Sequence, residues 1–340
     1  MTMEKAQLFF EDFLHKTADE FFALPQSGSS RKNYVGRSSD KKYIITFNEN
    51  LAENESFFYF SNIFSELNLN TPQIFKISDD RTLYVQEYLG GNTLSEIIEK
   101  EGLSDRTELL VKQVLENLYE LQNKTENKID WSKSFEYEAY DEFPITSDLF
   151  YFKSFMVDVL EIPYHKGNLL KEFKTLTQIL EHLEPKGLMI RDFQARNIMV
   201  NENDEVFSID YQSAMNGPLM YDVVSFLFQA KANFPSGFKD DMLEYYYSLW
   251  KDEVKISQLK SSVKPIQLIR FMQVLGAYGF RGLIQRKPHF ISSIDQGIEN
   301  LYNFSESWEE MKHFPELKRV IKELKSDVMK TKINSLIINH

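Results

Sequence analysis

The stretch Leu188–Asp222, LMIRDFQARNIMVNENDEVFSIDYQSAMNGPLMYD, holds the residues of this chain whose types and spacing suit phosphorus chemistry. It opens on a short apolar run, Leu188–Ile190, and a polar loop, Arg191–Asn197. Two apolar segments, Ile198–Val200 and Val206–Ile209, flank the turn Asn201–Asp204, so the spacing predicts a β-hairpin that ends at Asp210. A hairpin brings its outer ends together, which makes Asn197 and Asp210 neighbours although 13 positions separate them. An amide oxygen beside a carboxylate is a hard-oxygen pair of the kind Mg²⁺ takes when nucleotide phosphates supply further ligands. Asp192 precedes Asn197 by five residues in the same loop. Near such a metal, its free carboxylate can accept a proton from a hydroxyl attacking phosphorus. Taken singly, these residues have plainer readings: a loop aspartate that caps a turn, and another that closes a strand. The hairpin, the second aspartate and the segments that precede them favour the chemical one.

Those residues need a frame. Leu8, Phe9, Phe13, Leu14, Ala18, Phe21 and Phe22 recur at helical spacing, which predicts an opening helix that ends before Pro25. Gln26–Arg31 is a polar turn, and Asn33–Arg37 and Lys42–Phe47 are β-prone. A helix is expected over Ala52–Leu67, with Phe57, Phe60, Phe64 and Leu67 on one stripe, then strands over Gln73–Ile77 and Thr82–Tyr88. From Thr93 onward helical segments dominate: Arg106–Lys124, Asp148–Leu160, Asn168–Glu184, Leu219–Gln229, Gly237–Lys251, Gln258–Leu283 and a terminal Pro315–Lys325. The Gly90-Gly91 step is the expected linker. It divides a nucleotide-binding lobe with a leading helix, residues 1–90, from a helical catalytic and substrate-binding lobe, residues 91–340. The fold class is α+β, a small antiparallel sheet with its helix followed by a mostly helical lobe.

Composition narrows the chemistry. With 28 Phe and 17 Tyr among 340 residues, the chain can bury a strongly aromatic core, which excludes a disordered polyampholyte. The absence of Cys excludes disulfides, Cys-ligated zinc or iron–sulfur sites, and thiol nucleophiles. A formal charge of −12 argues against a nucleic-acid surface, which needs clustered Lys and Arg. Acidity alone names no ligand: it suits a cationic ligand, a metal site or plain solubility. No apolar run approaches the roughly 20 residues of a spanning helix, and Met1–Lys16 lacks the pattern of a signal peptide. The expectation is a cytoplasmic protein, monomeric, with no membrane or nucleic-acid partner.

Arg191-Asp192-Phe193-Gln194 with Asn197, Asp210-Tyr211-Gln212, Gly217-Pro218 and Tyr221-Asp222-Val223-Val224-Ser225 carry a resemblance. They resemble the aminoglycoside phosphotransferase family of protein-kinase-like small-molecule kinases, and within it the bacterial anomeric kinases of N-acetylmuramate and N-acetylglucosamine. The resemblance is densest over Leu188–Ser225, thinner over Pro25–Leu94, and weakest in the helical remainder, where the acceptor would be selected. It implies a bilobal protein-kinase-like fold, ATP and Mg²⁺ as cofactors, and phosphoryl transfer to a sugar hydroxyl in cell-wall recycling. It also implies Asp192 as the base, Asn197 and Asp210 as Mg²⁺ ligands, and Asp222 as a support that fastens the catalytic loop. Asp222 can equally be a simple N-terminal helix carboxylate. Arg196 either stabilises charge on the transferring phosphoryl group or is a solvent-facing loop charge. Ser27, Gly28, Ser29 and Arg31 fall where the family covers the phosphates, and backbone groups of Glu87 and Leu89 fall where it meets adenine. The plainer readings are a polar turn with one glycine and a buried strand leading into a linker.

The departures are specific. Ile44-Ile45-Thr46 has no Lys where protein-kinase-like enzymes place one on this strand, so Glu53 or Glu55 of the next helix lacks its customary partner. Arg31 and Lys32 are the nearest cations for the phosphates. Ile190 stands where a His precedes the Arg-Asp pair, which removes a packing element but no direct chemistry. In Leu275–Gly282 three glycines interrupt a helix, an expensive composition for a helix interior. Tyr278 and Arg281 there either face the sugar or accompany close helix packing. Aminoglycoside, choline or homoserine kinase activity stays open, as does a nucleotide-binding regulator with little turnover; the intact Asp192 speaks against the regulator.

Overall fold

The computed structural model describes residues 3–25 and 31–338. In it the aromatic-rich first third folds around an antiparallel five-stranded sheet. Helix α1 (Met3–Leu14) is followed by β1 (Glu20–Ala23), β2 (Lys32–Ser38), β3 (Lys41–Phe47), α2 (Leu51–Glu66), β4 (Ile74–Ile77) and β5 (Leu83–Glu87), and the strands lie in the order β1-β2-β3-β5-β4. Side chains alternate across the sheet. On one face α1 lays Ala6 and Phe10 against Tyr34, Ile45, Phe47, Leu83 and Val85. Phe10 needs the missing side chain of Gly36: a Cβ there would stand 2.3 Å from its ring. On the other face Tyr84 meets Phe57 and Phe58 of α2, with ring centroids 5.3 and 5.1 Å away.

The opening helix is shorter than its apolar spacing predicts. His15 adopts a positive φ of 54° and breaks the helix, and the Ala18 N–H then donates to the Glu11 carboxylate at 3.1 Å. Phe21 and Phe22 instead extend in β1 along β2, where Phe21 stacks on Tyr34 at 5.3 Å. Pairing with a neighbouring strand overrides the local helical pattern.

The chain divides into two compact units, Met1–Glu138 with Leu188–Met215, and Ala139–Gly187 with Asn216–His340. The Gly90-Gly91 step expected as a linker lies within the first. The first unit also contains β6 (Asn92–Thr93), α3 (Leu94–Glu101) and α4 (Asp105–Lys124). The chain enters it again through β7 (Lys186–Met189), forms β8 (Ile198–Val200) and β9 (Val206–Ser208), and leaves through β10 (Met215–Pro218).

The second unit is helical. It comprises α5 (Glu142–Phe152), which runs on into a π-helical turn at Lys153–Asp158, then α6 (Lys166–Glu181), α7 (Met220–Leu227) and α8 (Ser236–Ser248). Next come α9 (Glu253–Tyr278), which runs on into a second π-helical turn at Gly279–Ile284, then α10 (Pro288–Ile291), α11 (Ile294–Ser307), α12 (Pro315–Leu324) and α13 (Asp327–Ile338). Among the described residues no helix is long and apolar enough to cross a membrane.

Helix α12 has no side-chain cap of its own. The Glu172 carboxylate of α6 supplies one, accepting from the Glu316 and Leu317 N–H groups at 2.9 and 2.7 Å. Burial pushes this carboxyl above the usual range, and the two backbone donors oppose that only in part. Glu172→Ala should therefore cost about 1–2 kcal/mol, the usual loss of a cap. Glu172→Gln, which keeps an acceptor and removes the buried charge, should cost less. Thermal melting of the two variants side by side checks this ranking.

Candidate active site

The loop and hairpin residues are positioned by a dense set of backbone contacts. Strands β8 and β9 pair in the register Ile198↔Ser208, Met199↔Phe207 and Val200↔Val206, and the Ile209 N–H donates to the Asn197 carbonyl at 3.0 Å. The Val206 carbonyl accepts from the side-chain amides of Asn117 and Asn70 at 2.8 and 3.2 Å. Arg106 of α4 clasps Asp204 in the hairpin turn, with its closest contact at 2.7 Å. Gly90 adopts φ 111°, and a Cβ there would stand 2.8 Å from the Val200 carbonyl. The glycine thus lets the chain lie against β8, after which Asn92 and Thr93 pair with Val200 and Met199.

This frame brings together the two ends of the hairpin. The buried Asn197 amide donates to the Asp192 carbonyl at 2.8 Å and to Asp210 Oδ2 at 3.3 Å. Its two N–H groups are then used, so the amide oxygen is the atom with which it can ligate. Arg191 and Asp210 both sit in the left-handed region, with φ of 74° and 66°. Such backbone at non-glycine residues costs on the order of 1–3 kcal/mol and gathers at functional sites. The Asp192 side chain is partly exposed and Arg196 is exposed.

Asp210 is the hub. Its Oδ1 accepts from Arg31 and, at 3.2 Å, from the Gln212 amide. Burial alone would push the carboxyl up, but the charge and hydrogen bond of Arg31, the Gln212 amide and the charge of Arg196 hold it below the usual carboxylate range. Helix α2 fixes the segment that follows. The buried Tyr211 stacks on Phe57 at 5.0 Å and shares a 2.7 Å hydrogen bond with Ser61, while Ser56 donates to the Gln212 carbonyl at 2.8 Å.

The other expected residues are placed as follows. Ser27, Gly28 and Ser29 lie outside the described residues. The Glu87 N–H donates to the Gln73 carbonyl at 2.9 Å, which commits it to the sheet. Leu89, just past β5, is buried. Asp222 is fully buried in the first turn of α7, in the second unit. Tyr278 and Arg281, also there, flank Phe290: the tyrosine ring centroid lies 6.1 Å and the guanidinium carbon 5.4 Å from the Phe290 ring centroid. Close packing accounts for two of the glycines around them, since a Cβ at Gly276 or Gly279 would stand 2.8 or 2.0 Å from backbone atoms of Phe152 or Phe155.

The model of the phosphotransferase enzyme family matches residues 22–254, which span the sheet, the loop and the hairpin. The chain belongs to this family. This phosphotransferase is 26% identical over 185 residues to an N-acetylmuramate/N-acetylglucosamine kinase of Neisseria meningitidis, a match covering 53% of this chain and 52% of that protein. The match spans about half the length of that curated relative. Solved structures share its fold. One is a choline/ethanolamine kinase family protein of Mesorhizobium loti, with TM-score 0.62, 12% identity, and coverage of 94% of this chain and 100% of that one. Another is a thermostable mutant of an aminoglycoside phosphotransferase in ternary complex with ADP and hygromycin B. It has TM-score 0.55, 15% identity, and coverage of 87% of this chain and 98% of that one.

Among the described residues of the phosphotransferase, no group of three or more His, Asp or Glu side chains could hold a metal by itself. The Asn197–Asp210 pair fits a different kind of ion: one that takes two oxygens from protein and the rest from phosphate and water, as Mg²⁺ does. The sequence pattern named two further participants without giving either a contact in the site. Gln212 bridges Arg31 and Asp210, and Glu53, in the first turn of α2, lies 3.6 Å from Arg31. Glu53 was visible only as a carboxylate without a partner; its cation is 22 residues upstream, outside the strand where one was sought.

Proposed function

We propose that this phosphotransferase moves the γ-phosphoryl group of ATP, with Mg²⁺, to the anomeric hydroxyl of an N-acetylated amino sugar of the N-acetylmuramate or N-acetylglucosamine type, as in cell-wall sugar recycling. The observation that carries the proposal is the meeting of Asn197 with Asp210, while the same Asn197 amide holds the backbone of Asp192. Asn197 thereby ties the loop that carries Asp192 to the far end of the hairpin, where Asp210 stands. The identity of the acceptor draws on the Neisseria meningitidis relative.

In this reading Asp192 orients the sugar hydroxyl and takes its proton as the oxygen bonds to the γ-phosphorus. The bond from that phosphorus to the β,γ-bridging oxygen breaks, and ADP leaves with the electron pair. Asn197 and Asp210 would hold the Mg²⁺, which when bound neutralises charge on the phosphates. Arg196 adds positive charge beside Asp210, and Arg31 lies against the same carboxylate. Glu87 and Leu89 would meet the adenine through backbone groups, and Asp222 would support the loop. Tyr278 and Arg281 would line the acceptor side.

The test is incubation with ATP and Mg²⁺ against a panel of acceptors, with products read by ³¹P NMR. A sugar 1-phosphate from a hexosamine or muramic acid is the expected product. Transfer only to choline, homoserine or an aminoglycoside overturns the acceptor assignment, and transfer to none overturns the reaction.

A further inference from the structure

Arg31 is a side chain with more than one task. Its Nε faces Glu53 Oε1 at 3.6 Å, while its terminal nitrogens reach Asp210 Oδ1 and, at 3.3 Å, the Gln212 amide oxygen. Side-chain exposures of 17% for Arg31 and 15% for Glu53 put the pair largely out of water, where a charge must be matched. Glu53 is not free to follow a moving partner. Its second oxygen accepts from the Asn48 amide at 2.9 Å, and the buried Asn48 in turn accepts from the Asn50 N–H at 3.1 Å. The guanidinium thus faces Glu53 along one edge, and its two terminal nitrogens face Asp210, which Asn197 meets at its other oxygen, and Gln212.

That fork has a better partner in prospect than the one it has. Two carboxylates, Glu53 and Asp210, share this single guanidinium. A planar guanidinium fork matches phosphate oxygens in two-point geometry. When a phosphate takes the fork, Asp210 becomes available to a metal, and Arg31 stays paired with Glu53.

Strand β3 shows where else such a cation could stand. Thr46 is buried on the α2 face of the sheet, where its hydroxyl donates to Asn33 at 2.8 Å and accepts from Gln86 at 3.0 Å. Its cross-strand partners are Tyr84 on β5 and Asn33 on β2, the latter two residues past Arg31. Position 46 therefore lies in a strand interior beside the entrance to β2, where Arg31 stands.

We propose that Arg31, held along its Nε edge by Glu53, grips the β- and γ-phosphates of the nucleotide, and that it does so in place of a cation on β3 at position 46. Glu53 is a positioning residue for it. The proposal rests on the ATP-dependent reading of the site.

Calorimetric titration of the full chain with MgATP and, separately, with AMP tests it, because AMP lacks the two phosphates concerned. Arg31→Gln should weaken MgATP binding about 10–100-fold, the worth of a charge-assisted contact, and leave AMP binding within about twofold. Glu53→Gln should weaken MgATP by a smaller factor, again sparing AMP. Adding Thr46→Lys to Arg31→Gln should restore at least a tenth of the wild-type MgATP affinity, and Arg31→Lys should restore part of it without disturbing the strand. Equal losses for MgATP and AMP in Arg31→Gln, at an unchanged melting temperature, overturn the proposal and leave the ATP assignment standing. Failure of both Thr46→Lys and Arg31→Lys to recover any affinity overturns it too. A wild type that binds neither nucleotide overturns both.

Discussion

Asp192→Asn should lower phosphoryl transfer by about 10²–10⁴-fold, the usual worth of a positioned acid–base group, while MgATP binds within about threefold of the wild type. The separation between the two readouts follows from how the residue is held. The contacts that fix Asp192 in its loop run through its backbone: its N–H donates to the Ile190 carbonyl at 3.0 Å and its own carbonyl accepts from Asn197 at 2.8 Å. An isosteric change at the carboxylate leaves both in place. Asn197 keeps its orientation, and so does the Asn197–Asp210 pair at 3.3 Å. What disappears is a carboxylate able to take a proton from the acceptor hydroxyl. Single-turnover transfer and equilibrium MgATP binding, measured on the same preparation, distinguish the cases. Transfer within tenfold of the wild type would remove Asp192 from the role of base. A parallel collapse of MgATP binding would make it a residue of loop structure.

The meeting of Asn197 with Asp210 was legible because a hairpin is a local device. Two short apolar runs, a polar turn between them and an aspartate after the second suffice to place Asn197 beside Asp210. The ladder itself then does the positioning, through the pairing of Ile198 with Ser208. Two helices were legible for a similar reason: α4 covers Asp105–Lys124 and α12 covers Pro315–Leu324, each within about a residue of the apolar periodicity that announces it. By contrast, α5 and α9 begin six and five residues before the expected Asp148 and Gln258. The break between α1 and β1 was not, because Phe21 and Phe22 satisfy a helical stripe and a strand equally, and β2 decides between them. The partner of Glu53 was not legible either. A cation can reach one point in space from a strand interior or from the strand's entrance, and only the folded sheet shows that Arg31 comes from the latter.

The glycines of α9 are a case where sequence offers two meanings and the structure separates them. Gly279→Ala should destabilise the protein by about 3 kcal/mol or more, at the upper end of what overpacking costs. Backbone conformation is not the cause. Gly279 has φ −59° and ψ −53°, ordinary helical values that alanine adopts readily. The cause is space: a Cβ at this position would stand 2.0 Å from the Phe155 carbonyl oxygen and 2.6 Å from its carbon. Those are backbone atoms of the π-helical turn Lys153–Asp158, and Met156 and Val157 beside them are completely buried, so the turn has no direction in which to yield. Gly237, near the start of α8, supplies the control, since a Cβ there would meet nothing within 4 Å. Gly237→Ala should be neutral or stabilise by up to about 1 kcal/mol, as expected when a helical glycine is replaced in open space. Denaturant unfolding of the two variants reads the contrast directly. Equal stabilities would mean that α9 does not need this glycine to pack. A large loss for Gly279→Ala alone would mean that the two π-helical turns lie backbone to backbone by necessity. Tyr278 and Arg281, which flank that contact, would then stand on one of the least adjustable parts of the helical unit.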